Sequence, residues 1–289
     1  MENFLRPIYQ KHASDSNTLG VLILEKTKPD SPITDNFDVI LLIIVKESQQ
    51  DWYVKHYEFD HKTCALHMVK EDLLMKWIDT SGYRTAVEWI IYGKVIFDRN
   101  EYILQLKSQL RDFPDNKRDL RKAIEFGKLV KSYNEAKELF ESEEYKDTNS
   151  KILYSLHYLA RLAVIEKGYY PEVTVWSQVK QIDLEVYKLY EEFIESNEDM
   201  KKRIQLMLIA MDYVISSRVK VSVKHLLDIM ETSEDAWSYA DLKSLPMISP
   251  YSLDLSAIIA YLVEKDIILT VREETKGAGV YHRKYKIHD

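Results

Sequence analysis

Asp38 stands at the mouth of the most apolar run in the chain, Phe37-Asp38-Val39-Ile40-Leu41-Leu42-Ile43-Ile44-Val45. A carboxylate is costly to bury alone, so at such a place it needs a metal ion, a cation or backbone donors. Two more acids stand near it in sequence: Asp35 in the preceding loop, and Glu58 on a hairpin strand, where His56 shares its face. Asp35, Asp38 and Glu58 together would offer oxygen ligands to a divalent ion, with Asp38 at its centre. The plainer expectation gives Asp38 a helix N-terminus or a lysine as partner and leaves Asp35 and Glu58 in water. His56, Glu58 and His67 form a second trio of metal-ligand types, although such residues on a hairpin more often face solvent or pack.

Two other groups carry chemistry. Tyr154, His157 and Arg161 fall opposite the apolar stripe of a helix that begins at Ile152. Read alone, they make an inter-domain contact or face solvent. Near the end, His282-Arg283-Lys284-Tyr285-Lys286 gives a strand a basic edge, and Arg283, Lys284 and Lys286 there suit DNA phosphates. Against this, Leu253 to Asp266 carries Asp254, Glu264 and Asp266 with only Lys265, a poor charge for a helix in the major groove. No glycine-rich phosphate cradle and no nucleophile elbow occur. Cys64, in an apolar stretch, reads as a buried inert thiol.

The elements that must position these residues change along the chain. A helix is expected over Phe4 to Ala13, a strand over Leu19 to Leu24, and a loop over Thr27 to Thr34. The Phe37 to Val45 run fits a strand buried on both faces. Trp52 to Phe59 and Cys64 to Val69 flank Asp60-His61-Lys62-Thr63 as a hairpin. Helix, a strand over Lys94 to Phe97 and a further helix follow, the last opened by a capping box of Asp98 and Glu101. From Asp115 the pattern is helical: a long helix striped by Leu120, Ile124, Leu129, Tyr133, Ala136 and Phe140, a polar connection over Ser142 to Ser150, and helices from Ile152, Asp183 and Ile204. Three short helices and two strands around Lys276-Gly277-Ala278-Gly279 then give the order of a winged helix.

That order, from about Leu19 to Glu195, resembles the nucleotidyltransferase superfamily, particularly its kanamycin nucleotidyltransferase type. The likeness lies in Phe37-Asp38-Val39-Ile40-Leu41, the hairpin around Asp60, Gly93-Lys94-Val95-Ile96-Phe97-Asp98, and His157-Tyr158-Leu159-Ala160-Arg161 leading to Gly168-Tyr169-Tyr170-Pro171. It implies an α+β fold: a mixed-sheet domain over residues 1–114, a helical substrate-binding-type domain over 115–200, and a winged-helix-like domain over 201–289. It also implies Mg²⁺ and a nucleoside triphosphate, which the residues alone do not require. Asp35, Asp38 and Glu58 would then serve the cofactor, with Arg161 near phosphate oxygens and His157 near an acceptor hydroxyl. The superfamily's pattern is incomplete here. Its second strand acid falls on Ile40, its third carboxylate at about Leu66, and its Gly-Ser turn near Ile23-Leu24-Glu25, none of which matches.

Three readings follow. The first is a catalytically degenerate nucleotidyltransferase-like protein that binds a nucleotide, another small ligand or a protein partner. The second is an active enzyme that moves a nucleoside monophosphate to a hydroxyl through a rearranged acidic site. The third is a DNA-binding regulator that uses the wing. A net charge of −7 argues against wholesale coating of nucleic acid. One cysteine among 289 residues, and no signal peptide or apolar segment long enough to span a bilayer, lead to the expectation of a cytoplasmic protein. Oligomeric state stays open.

Overall fold

The computed structural model describes residues 2–26, 32–80 and 82–288. It is of mixed α+β class and divides into two compact units, one of residues 1–114 with Tyr169–Thr174, the other of Asp115–Gly168 with 175–289. Among the described residues no helix is long and apolar enough to cross a membrane.

The first unit holds α1 (Glu2–Ala13), β1 (Thr18–Glu25), β2 (Val39–Val45), β3 (Trp52–Phe59), β4 (Lys62–Lys70), α2 (Glu71–Thr80), α3 (Arg84–Tyr92), β5 (Lys94–Asp98) and α4 (Tyr102–Asp112). The strands form one sheet in the order β3-β4-β2-β1-β5. β2 and β4 pair in parallel and the other neighbours run antiparallel. Every residue of β2 is buried, as its uninterrupted apolar sequence requires of a strand covered on both faces. One face, with Val39, Leu41, Ile43, Cys64 and Leu66, packs on Leu5 of α1. The other, with Ile40, Leu42, Ile44, Ala65 and Val69, packs on α2, α3 and α4. The hairpin turns on Asp60 and His61, both at positive φ, as a two-residue turn between right-twisted strands demands. The returning segment is held by the buried Glu88 carboxylate, which accepts the Val173 N–H, and by Tyr170 stacked on Phe113 at 4.0 Å.

The second unit holds α5 (Asp115–Glu141), α6 (Tyr145–Glu166), α7 (Val175–Ile182), α8 (Leu184–Glu195), α9 (Met200–Ser222), α10 (Lys224–Met230), β6 (Trp237–Ser238), α11 (Tyr239–Ser244), α12 (Leu255–Glu264), β7 (Ile268–Glu274) and β8 (Tyr281–Ile287). The last six make the winged helix, with its sheet in the order β6-β8-β7. One hydrophobic cluster runs from Ala123 of α5 to Ile268 of β7. Gly127 lets α12 close on α5: a Cβ there would stand 3.0 Å from Asp254 Cβ and 3.1 Å from Ile258 Cδ1.

Several local expectations are corrected. The stretch read as a polar connection over Ser142 to Ser150 is largely helix, because α6 begins at Tyr145 and solvent-facing first turns need no apolar residues. Asp98 does accept N–H groups at the start of α4, from Ile103 at 2.8 Å and Leu104 at 3.2 Å. Glu101 takes no part in a capping box, since its backbone is left-handed and its side chain makes no cap bond. The expected elements do not include α7, and 27–31 of the expected loop lie outside the described residues.

A partly buried ion triad ties α6, α8 and α9. Arg218 contacts Glu166 and, at 3.0 Å, Asp183, which also caps α8 through the Val186 N–H. Burial pushes the Glu166 carboxyl up, and Arg218 opposes that rise. Arg218→Ala is expected to lower unfolding free energy by about 3–5 kcal/mol at pH 7, because two desolvated carboxylates lose their counter-charge. A raised folded-state pKa at Glu166 favours folding most at low pH, so the gap to wild type narrows as pH falls from 7 to 5; denaturant midpoints across that range check it.

Candidate functional site

Register fixes what surrounds Asp38. Val39 pairs with Cys64 and Glu58 with Thr63, so Glu58, Thr63 and Asp38 form one row across β3, β4 and the start of β2. His56, Ala65 and Ile40 form the next row on the same face, and Val54, His67 and Leu42 the one after. Two carboxylates on alternate residues would clasp one ion from such a face, but the second position is Ile40. The β4 residue beside it is Ala65, and Leu66 points to the α1 face. Leu66 is therefore not the position that a third carboxylate would take; Ala65 or His67 is.

Asp38 finds its partner in Thr63 instead of a lysine or a helix end. Its Oδ2 accepts the Thr63 N–H at 2.8 Å and the Thr63 hydroxyl at 3.1 Å, and its own N–H donates to the Thr63 carbonyl at 3.1 Å. The backbone and hydroxyl donors of Thr63 hold the Asp38 carboxyl below its ordinary range. Asp35, at positive φ, accepts the Tyr83 hydroxyl at 2.8 Å. Glu58 is exposed and lies two strands from Asp38, about 10 Å between backbones. Among the described residues no three His, Cys, Asp or Glu side chains gather as a metal ion would need. The donor set at this face does not fit magnesium, which wants several oxygens at short, octahedral range.

Aromatic packing fills the space beyond. His67 is 5% exposed and lies 4.5 Å from the Trp89 ring. Trp52 stacks on His67 at 5.8 Å, and Trp52, Trp77 and Tyr83 pack on one another edge-on or tilted at 5.1–5.2 Å. Trp52 Nε1–H donates to His67 Nδ1 at 3.1 Å, which places the neutral ring's proton on Nε2, an atom without a partner. Burial lowers the His67 pKa to about 4. His56 is exposed and leans on Phe37, so the suggested trio with Glu58 and His67 does not converge. Cys64 is fully buried, its thiol pushed up to about 11, which leaves it inert.

In the second unit, α6 presents Tyr154, His157, Tyr158 and Arg161 to a cavity of about 420 Å³, with Trp176 of α7 and Tyr190 of α8 opposite. Trp176 and Tyr190 stack at 3.9 Å, and His157 meets Trp176 edge-on at 6.1 Å. Arg161 is not on the solvent side of α6, as its spacing had implied. It is 8% exposed, stands 3.6 Å from the fully buried Glu125 of α5, and lies over the Tyr158 ring. The aromatic wall facing it was missed in the sequence because Trp176 and Tyr190 meet α6 only through the tertiary fold.

On the wing, Lys284 pairs with Glu273 at 2.9 Å, Arg283 reaches Thr270, and Lys286 is exposed. The outward side of α12 shows Ser256, Ala260 and Glu264, preceded by Leu253, and no lysine or arginine.

Family models agree with this layout. A Nucleotidyltransferase-like domain matches residues 1–118, a YgxA-like substrate binding domain 119–218, and a Helix-turn-helix domain 224–287. Uncharacterized protein YgxA of Bacillus subtilis (strain 168) is 43% identical over 285 residues, covering 99% of this chain and 97% of its own. The chain belongs to the YgxA-like family of nucleotidyltransferase-like proteins. The crystal structure of a nucleotidyltransferase-like protein from Exiguobacterium sibiricum 255-15 superposes with a TM-score of 0.82 at 36% identity, over 99% of each chain. The family's fold thus carries a substrate-binding domain where the aromatic slot lies.

The His67 environment yields a pH test. A histidine held neutral in the fold contributes stability above its unfolded pKa of about 6.5 that is lost as pH falls towards the folded value. The His67 ring resonances are expected to stay flat from pH 8 to 5 in an NMR titration. His67→Phe is expected to reduce the decline in denaturant midpoint between pH 6.5 and 4.

Proposed function

We propose that this YgxA-like protein keeps the nucleotidyltransferase-like fold without magnesium-dependent transfer and works as a ligand-binding protein through the slot of its helical part. The observation that carries the reading is the face around Asp38. The one acid in the expected pair is occupied by Thr63, and its neighbours on that face are Ile40 and Ala65. Nucleotidyl transfer needs carboxylates converging on a metal that clamps the triphosphate and stabilises charge at phosphorus. Here a carboxylate has become a joint between two strands.

The cytoplasmic expectation is kept as part of this proposal. So is a protein-facing winged helix. α12 is packed on α5 and displays no cation outward, while Lys284 of the wing already has Glu273 as partner. A DNA reader would carry phosphate-binding side chains on both elements.

Incubation of the purified chain with Mg²⁺ and each of the four common nucleoside triphosphates is expected to release no pyrophosphate above the Asp38→Ala background. Asp38→Ala is expected to cost about 1–2 kcal/mol in unfolding free energy, the worth of a charge-assisted hydrogen-bond pair at a half-exposed site. Metal-dependent pyrophosphate release that Asp38→Ala abolishes would return the protein to the enzymes. In mobility shifts at low salt, no duplex binding sensitive to changing Arg283 and Lys286 is expected.

A further inference from the structure

We propose that the slot between α6 and the Trp176–Tyr190 pair binds a flat aromatic carboxylate and rejects polycations. The proposal rests on the reading of the helical part as the ligand-binding part and adds the chemistry of its ligand. A cavity of about 420 Å³ lies in the range that encloses small organic molecules. Its walls are mostly rings: Tyr154 and Tyr158 on one side, Trp176 and Tyr190 on the other. Such walls favour a planar group that can lie against a face or an edge.

The polar end is set by Arg161, the only permanent charge among the lining side chains. It is 8% exposed, and its Nε–H has no hydrogen-bond partner. Its counter-ion Glu125 stands at 3.6 Å, too far for a hydrogen bond, and neither carboxylate oxygen of Glu125 has a hydrogen-bond partner. Arg161 itself lines the slot, so its guanidinium sets a positive potential there, while its Nε–H is enclosed away from the opening. Charge balance points the same way. Glu125 lies between two cations, Arg161 at 3.6 Å and Lys128 at 3.8 Å, while the nearby acids Glu135 and Asp254 each have their own lysine. The cations beside Glu125 outnumber it, which favours an anion at the slot. A carboxylate matches the planar fork of arginine, whereas an ammonium-rich ligand would meet a buried cation.

Isothermal titration of the full chain with 2-naphthoate, the neutral 2-naphthamide and spermine tests this. The expected result is one site for 2-naphthoate, bound about tenfold more tightly than the amide, and no spermine binding. Tyr154→Ala, at a residue 59% exposed whose loss leaves the core intact, should weaken acid and amide alike. The double variant Glu125→Gln with Arg161→Gln removes both buried charges together. It should erase the acid's advantage while ring binding remains, with circular dichroism melts reporting that it folds. Equal affinity for acid and amide, or tighter binding of spermine, overturns the ligand class while the helical part stands as a binding domain. Acid binding unchanged in both variants places the ligand elsewhere and overturns the proposal. Failure of all three probes overturns the slot as a site and removes support from the wider reading as well.

Discussion

A carboxylate at the entrance to a strand buried on both faces must find donors, and everything about the front unit turns on where Asp38 finds them. The parallel register of β2 and β4 brings Thr63 alongside it. Thr63 supplies a backbone N–H and a hydroxyl to one oxygen and accepts the Asp38 N–H on its carbonyl. Three short bonds close the mouth of the central strand pair. Asp38 thereby joins the two strands, and the next residues on that face along β2 and β4 are Ile40 and Ala65.

Much of the fold was legible because β2 and the long helices announce themselves through periodicity. The continuous run from Val39 to Val45 fits a doubly covered strand, and the Leu120 to Phe140 stripe fits a helix on a core. Asp38 stood out for the same reason, as the polar residue beside that run. Its partner was not legible. Thr63 comes next to it through a parallel pairing that skips over β3, and no local signal encodes such a pairing. The same holds for the slot. His157 and Arg161 were singled out on α6, but helical spacing alone put Arg161 in solvent. Its burial depends on Glu125 from α5 and on rings from α7 and α8, and α7 was not foreseen at all.

Both places show how desolvation decides chemistry. His67 sits among Trp52, Trp77, Tyr83 and Trp89 and is kept neutral because water cannot solvate its cation. Arg161 cannot shed its charge, so the fold supplies Glu125 and leaves the pair loosely made. The imidazole is enclosed by rings, its Nε2–H unpartnered. Arg161 lines an open slot beside its ion pair with Glu125, and that opening sets the two places apart.

The single hydrophobic cluster from α5 to β7 has a consequence for communication within the rear unit. Gly127 lets α12 settle on the same long helix that carries Glu125 on its neighbouring turn. A molecule that binds only the native slot adds its binding free energy to the whole cooperative block. Were the slot occupied, that free energy would fall on α5, the helix on which α12 also packs.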